Sequence, residues 1–192
     1  HYFYTNSAVV NGAYQFGLFI ASKYPIVDSG KVSFGETPHS EGLAWADINF
    51  NYQRYRVYNV HMESARMDRY AYFDAAEGAR HAASQLIRAY IYRSGQADLV
   101  RQQINASPYP VIVCSNLGDI PNSYAYFTVS EGLQDVFLEK GAGLGPTFRF
   151  ISPTLRLDYL FTDPRFKVRQ YYRPKLIYSD HYPVIADLEY TK

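Results

Sequence analysis

The sequence predicts a mixed α/β (α+β) domain in which strands outnumber helices, and three observations predict it. The first is an alternating stretch, Leu43 to Phe50, that turns at Asn51 to Gln53 and returns through Tyr55, Val57, Asn59 and His61. Period-two patterning on both sides of a short polar turn marks an antiparallel hairpin. The second is residues 65 to 107, rich in Ala, Arg, Gln and Leu and free of Pro, which read as helix. The third is the β-branched run Val111 to Val113, which suits a strand buried on both faces. Turn residues Ser115 to Asp119 follow at once, and Pro121-Asn122-Ser123 then opens a helix expected over 121 to 131.

Taken in order, Tyr2 to Tyr4 and Phe16 to Ala21 are expected strands, separated by a polar turn around Asn6 to Gly12. Gly30 and Gly35 bracket another short strand. Within the helical region Gly78 and Ser94-Gly95 predict breaks, and Ala97, Val100 and Ile104 form an apolar stripe on the last segment. Gly141, Gly143 and Gly145 predict a flexible loop; their spacing is not that of a dinucleotide-binding loop, so no nucleotide site is expected there. Leu155 to Thr162, Phe166 to Tyr172 and Val184 to Tyr190 complete the strands. Nothing in the composition divides the chain, so residues 1–192 are expected to form one domain.

Composition narrows the classes. Hydrophobic residues make up 47% and charged residues 19%, which excludes extended disorder. A net charge of +1 gives no footprint of a dedicated nucleic-acid binder. The single cysteine, Cys114, excludes an internal disulfide and a multi-cysteine zinc site, and its place at the end of a buried strand predicts a packed thiol. No apolar run approaches the roughly 20 residues that span a bilayer. The chain opens on His1 inside an expected strand, which predicts further sequence upstream.

Four strand ends or turns carry polar groups: His61 with Ser64, Asn116 through Asp119, Arg156 with Asp158, and Ser179-Asp180-His181. A carboxylate set in a strand, as Asp158 is, costs desolvation energy unless partnered. His181 can offer a donor. Such a pair fixes the imidazole tautomer and stabilises its protonated form.

The segments Gly17 to Ile26, Tyr58 to Ser64, Tyr109 to Ser123, Leu155 to Phe161 and Ser179 to Val184 occur in the order typical of the endonuclease/exonuclease/phosphatase superfamily. The chain resembles its Bacteroidetes branch over nearly all its length. The resemblance implies a four-layered sandwich of two mainly antiparallel sheets flanked by helices, lacking its first strand-helix segment. It further implies divalent-metal-dependent hydrolysis of phosphate esters. By that resemblance His61, Asn116, Asp158 and His181 would be catalytic, Asn59 and Gly118 would touch the phosphate, and Asp180 would lie by the metal.

The chain also departs from the pattern. Where the family reads Gly-Asp-x-Asn, this chain reads Ser115-Asn116-Leu117-Gly118. The family's metal-binding Glu would lie upstream of His1. The expectation is therefore a phosphoesterase that is weakened or inactive, holding Mg²⁺ or Mn²⁺ weakly; the alternative is a pseudoenzyme that binds a phosphorylated ligand or a protein through the same cleft. Expected partners are a phosphate-ester ligand of open class, nucleic acid included, with no membrane contact by the chain itself, an upstream anchor left open, and a monomeric state.

Overall fold

The computed structural model describes residues 1–6, 8–10, 14–35, 42–64, 75–149 and 155–191. Its centre is a six-stranded mixed sheet of order β5-β6-β7-β8-β10-β9. The strands are β5 (Ile26–Ser33), β6 (Gly42–Phe50), β7 (Gln53–His61), β8 (Val111–Asn116), β9 (Gln134–Asp135) and β10 (Asp158–Thr162). Within this sheet only the β7–β8 pair is parallel. A parallel pair needs a long crossover, and α1 (Ala75–Asn105) supplies it.

The hairpin forms where the alternation places it. Phe50 pairs with Gln53, so Asn51 and Tyr52 alone turn the chain. Both have positive φ, 51° and 61°, which matches the twist of the flanking strands. Trp45 explains why β5 runs on through Gly30 instead of beginning there. A Cβ on Gly30 would lie 2.7 Å from the Trp45 Nε1, so only glycine lets the indole lie across the strand.

One face of the sheet carries the main core. Tyr58, Val60, Val113, Tyr159 and Phe161 meet Ala97, Val100 and Ile104 of α1, and Ala125 and Val129 of α2 (Tyr124–Ser130). The Tyr58 hydroxyl donates to the Gln103 carbonyl of α1 at 2.7 Å, so this buried ring leaves no polar group unpaired. The expected breaks at Gly78 and Ser94-Gly95 are absent: α1 is a single helix of 31 residues. One exposed glycine costs a helix about 1 kcal/mol relative to alanine, and the buried Arg93, Gln96 and Ala97 beside it offset that. Residues 65–74 of the expected helical region lie outside the described residues. The helix expected from 121 starts later, with Ser123 as N-cap accepting from the Tyr126 N–H.

The other face is covered in two places. On one side lies the ribbon of β1 (Tyr2–Tyr4) and β4 (Phe19–Ala21), with Leu18 and Ile20 against Ala44 and Ala46. On the other lies the ribbon of β11 (Phe166–Tyr172) and β12 (Ile185–Tyr190), where Phe166 and Tyr190 pack their rings on Tyr55. Sheets and helices thus stack in layers. Several elements were not expected, β9 among them. A small hairpin of β2 (Ala8–Val10) and β3 (Tyr14–Phe16) stands where a plain turn was predicted, and α3 (Val136–Lys140) follows β9. Among the described residues no helix is long and apolar enough to cross a membrane.

Candidate functional site

Strand register builds the site. His61 of β7 pairs with Asn116 of β8, and Asn116 pairs with Asp158 of β10, so three polar side chains form one row across neighbouring strands. Cα partners share a face, and this is the face that the two ribbons leave uncovered between them. There a groove of about 420 Å³ is floored by Asn59, Cys114 and Leu160, with Leu18 on one side and Tyr182 and Val184 on the other. Beyond the strand ends it meets a second cavity of about 650 Å³, lined in part by Gly118, Asp180 and His181. His61 and Asn116 border both.

Asp158 and His181 join the two spaces. Their carboxylate oxygen and Nδ1 lie 2.6 Å apart. Burial of the imidazole works against its proton, but the hydrogen bond to Asp158 and the charges of Asp158 and Asp180 outweigh it, and the pKa is raised above the ordinary 6.5. The ring is seated by its surroundings: Phe148 packs on it at 4.9 Å between centroids. Segment 147–149 pairs with 180–182, through the Arg149 N–H to the Asp180 carbonyl and the Tyr182 N–H to the Thr147 carbonyl. Thr147, fully buried, accepts at Oγ1 from the N–H groups of Leu157 and Asp158, which fixes the start of β10.

A raised pKa means that the folded chain holds a proton the unfolded chain would release. The resulting stabilisation is complete below about pH 6.5 and fades as pH rises through the raised value. The His181 ring proton is therefore expected to titrate by NMR above 6.5, and Asp158→Asn to lower the midpoint. A wild-type midpoint below 6.5 would contradict the pairing.

Asn116 takes a different posture. Its Oδ1 accepts from the Gly118 N–H at 2.9 Å, closing a tight turn in which Gly118 has φ +63°. Asn59 lies a step back from the cavity, in the groove, with its amide nitrogen donating to the Phe19 carbonyl at 3.1 Å. Asp180 is exposed and accepts from Ser179 Oγ at 3.1 Å.

The other polar groups near the site serve structure. Arg156, grouped with Asp158 in the sequence, turns away to Asp135 at 2.6 Å, both side chains only 3% exposed. Asp119 accepts from Arg93 Nε at 3.1 Å, and the same guanidinium donates to the Glu63 carbonyl at 3.3 Å. Arg93 thereby ties α1 to the ends of β7 and β8; a basic residue inside a helical run does not announce such a role. The Cys114 thiol is exposed on the groove floor, contrary to the packed thiol expected, because the face above it lies between the ribbons.

A divalent cation finds an incomplete shell here. Hard cations take six or more oxygen ligands, carboxylates above all. Asp158 is engaged by His181, Asp119 by Arg93, and the only acceptor atom of the Asn116 amide by Gly118. Among the described residues no three His, Cys, Asp or Glu side chains are grouped to hold an ion. These residues do not by themselves fit a metal. Calorimetry with Mg²⁺ or Mn²⁺ is expected to show only weak binding; a tight stoichiometric site abolished by Asp180→Ala would show the ligand set to be misread.

The layered sheets, the β7–α1–β8 crossover and the strand-end cleft define the fold of endonuclease/exonuclease/phosphatase proteins, and solved structures carry the likeness. A mannosyl-6-phosphatase of Bacteroides thetaiotaomicron is similar at a TM-score of 0.62 and 20% identity, over 90% of this chain and 70% of that one. A family protein of Leptotrichia buccalis gives 0.67 and 17%, over 99% and 72%. The catalytic domain of human Nocturnin, solved with a bound sulfate anion, gives 0.65 and 15%, over 100% and 72%. No family model and no curated protein matches the sequence.

Proposed function

We propose that the chain is an endonuclease/exonuclease/phosphatase-type domain that binds phosphate esters in this cleft, with hydrolysis weakened or lost. The observation that carries the reading is the posture of Asn116. A backbone N–H can be met only by the amide oxygen, so Oδ1 faces Gly118 and Nδ2 is left for the cleft that the residue borders. An N–H₂ group suits a phosphate oxygen and is a poor neighbour for a metal ion.

His181 complements it. With Asp158 on Nδ1, Nε2 is the nitrogen that can meet a ligand, and the raised pKa keeps the ring cationic further into the neutral range. An anionic ligand thus meets two donors, Asn116 Nδ2 and His181 Nε2, beside the exposed Asp180 carboxylate. The fold neighbours support the ligand class, since one is a mannosyl-6-phosphatase and another was solved with sulfate. A weakened phosphoesterase is the second reading, favoured by the intact Asp158–His181 pair, which could hand a proton to a leaving group.

The test is titration with methylphosphonate in the presence of EDTA. Binding is expected without metal, to weaken as pH rises through the His181 pKa, and to fall by about tenfold or more in His181→Ala, the loss of one charge-assisted hydrogen bond. Binding that requires Mg²⁺ or Mn²⁺, or that ignores His181→Ala, would overturn the reading.

A further inference from the structure

The larger cavity is polar at one border and mostly apolar elsewhere, where Ser64, Arg93 and Asp119 are the other polar side chains. His61, Asn116, Asp180 and His181 lie at the strand ends, while Met62, Leu86, Ile120, Phe148, Leu155 and Leu157 supply the rest of its wall together with a few other side chains. Those six come from the end of β7, α1, the loop after β8, the segment at 148 that follows the Gly-rich loop, and the segment 155–157 that leads into β10. Its volume of about 650 Å³ far exceeds what a phosphate group fills and falls within the range that encloses drug-sized ligands, about 300–1,000 Å³.

The remaining polar lining is Ser64, Arg93 and Asp119. Arg93 and Asp119 are spent on each other, and Arg93 also on the Glu63 carbonyl. A sugar ring bound against the six apolar side chains would leave hydroxyl groups facing carbon, and an unpaired buried hydroxyl is costly. An aryl or alkyl group would instead gain by leaving water.

We infer that the cavity selects phosphate esters whose organic group is apolar, an aryl or alkyl phosphate in preference to a sugar phosphate. The phosphate sits at the His61–Asn116–His181 border and the apolar group lies against Leu86, Ile120 and Phe148. The inference rests on the proposed phosphate-ester reading and adds the chemical class of the ester.

Three probes separate the two. Phenylphosphonate carries the apolar group without a hydrolysable bond, methylphosphonate carries almost none, and mannose 6-phosphate carries hydroxyls. Phenylphosphonate is expected to bind at least about tenfold more tightly than methylphosphonate, a difference of about 1.4 kcal/mol. Mannose 6-phosphate is expected to gain nothing over methylphosphonate. Leu86, 45% exposed on α1, can be changed without opening the core, and Leu86→Ser is expected to shrink the phenyl-to-methyl ratio. Equal affinity for the two phosphonates, a preference for the sugar phosphate, or a ratio untouched by Leu86→Ser would overturn the selectivity while leaving phosphate binding in place. Failure of all three probes to bind in a His181-dependent way would remove the phosphate reading and the selectivity with it.

Discussion

Asn116→Asp is expected to strengthen Mn²⁺ binding by about tenfold or more, yet to add little turnover of bis-p-nitrophenyl phosphate, which the unmodified chain is itself expected to hydrolyse negligibly. The substituted carboxylate can keep one oxygen on the Gly118 N–H, as Oδ1 does at 2.9 Å, and turn the second oxygen and a negative charge toward the cleft. That would add a carboxylate near Asp180, on the same cavity, for an ion to use. It also supplies a base, and a positioned base contributes roughly 10²–10⁴-fold to a rate. Residues that act as a unit are strongly non-additive, however, so one repair recovers little while the ion is still held by few ligands. Gly118→Asn would add an amide at a further cost. The position has φ +63°, and a Cβ there would lie 3.1 Å from the Glu63 carbonyl oxygen. Asn is among the few side chains that tolerate this backbone, at about 1 kcal/mol. Mn²⁺ calorimetry and a phosphodiester assay, each with and without EDTA, decide the matter. Robust EDTA-sensitive turnover by the unmodified chain, lost in His181→Ala, would make the chain an enzyme and not a binding domain.

Asp135→Ala is expected to be the most damaging single change to stability, at about 3–5 kcal/mol. Asp135 Oδ2 accepts from Arg156 Nη1 at 2.6 Å and from the Tyr126 hydroxyl at 2.9 Å, and its Oδ1 caps α3 at the Phe137 N–H. Arg156 is enclosed by the rings of Phe137 and Tyr159, 4.5 and 4.8 Å from their centroids. Burial and the Asp135 charge push the Tyr126 hydroxyl up to about 12, so it remains a donor at any physiological pH. Removing the carboxylate strands a guanidinium in the core. Replacing both partners at once, as Asp135→Leu with Arg156→Met, should cost much less, since no charge is then left unpaired. Urea denaturation of the three proteins reads this directly. Equal losses for the single and double variants would show that the charges themselves matter little.

Much of this architecture is legible in the residues, and the gaps have physical causes. The hairpin through Asn51 and Tyr52, the strand from Val111 and the pairing of Asp158 with His181 follow from periodicity and from the cost of a lone carboxylate, although that strand is buried on one face only and not on the two expected. The continuity of α1 does not, because Gly95 reads locally as a breaker while the packing of Ala97 and Val100 is tertiary. Gly30 reads as a strand boundary because the Trp45 ring that demands glycine lies on another strand. Arg156 and Asp158, two residues apart on one strand, should share a face, yet Arg156 precedes the first paired residue of β10 and is free to turn to Asp135. The hydrogen bond from Gly118 to Asn116 is local, and the sequence Asn-Leu-Gly permits it; the apolar wall around the larger cavity comes from five separate segments and no local pattern displays it.

The row of His61, Asn116 and Asp158 has a consequence for the order in which the molecule assembles. No two of its members share a strand, and the β7–β8 pairing closes only after the whole of α1 has been threaded back. Such pairings carry the largest loop-closure entropy and dominate slow folding. The cleft therefore cannot pre-exist in a partly folded chain: a hairpin of β6 and β7 alone would present His61 with nothing beside it. The geometry of the cleft and global folding arrive together, so a ligand held there would report on the long-range steps of folding as faithfully as any core probe.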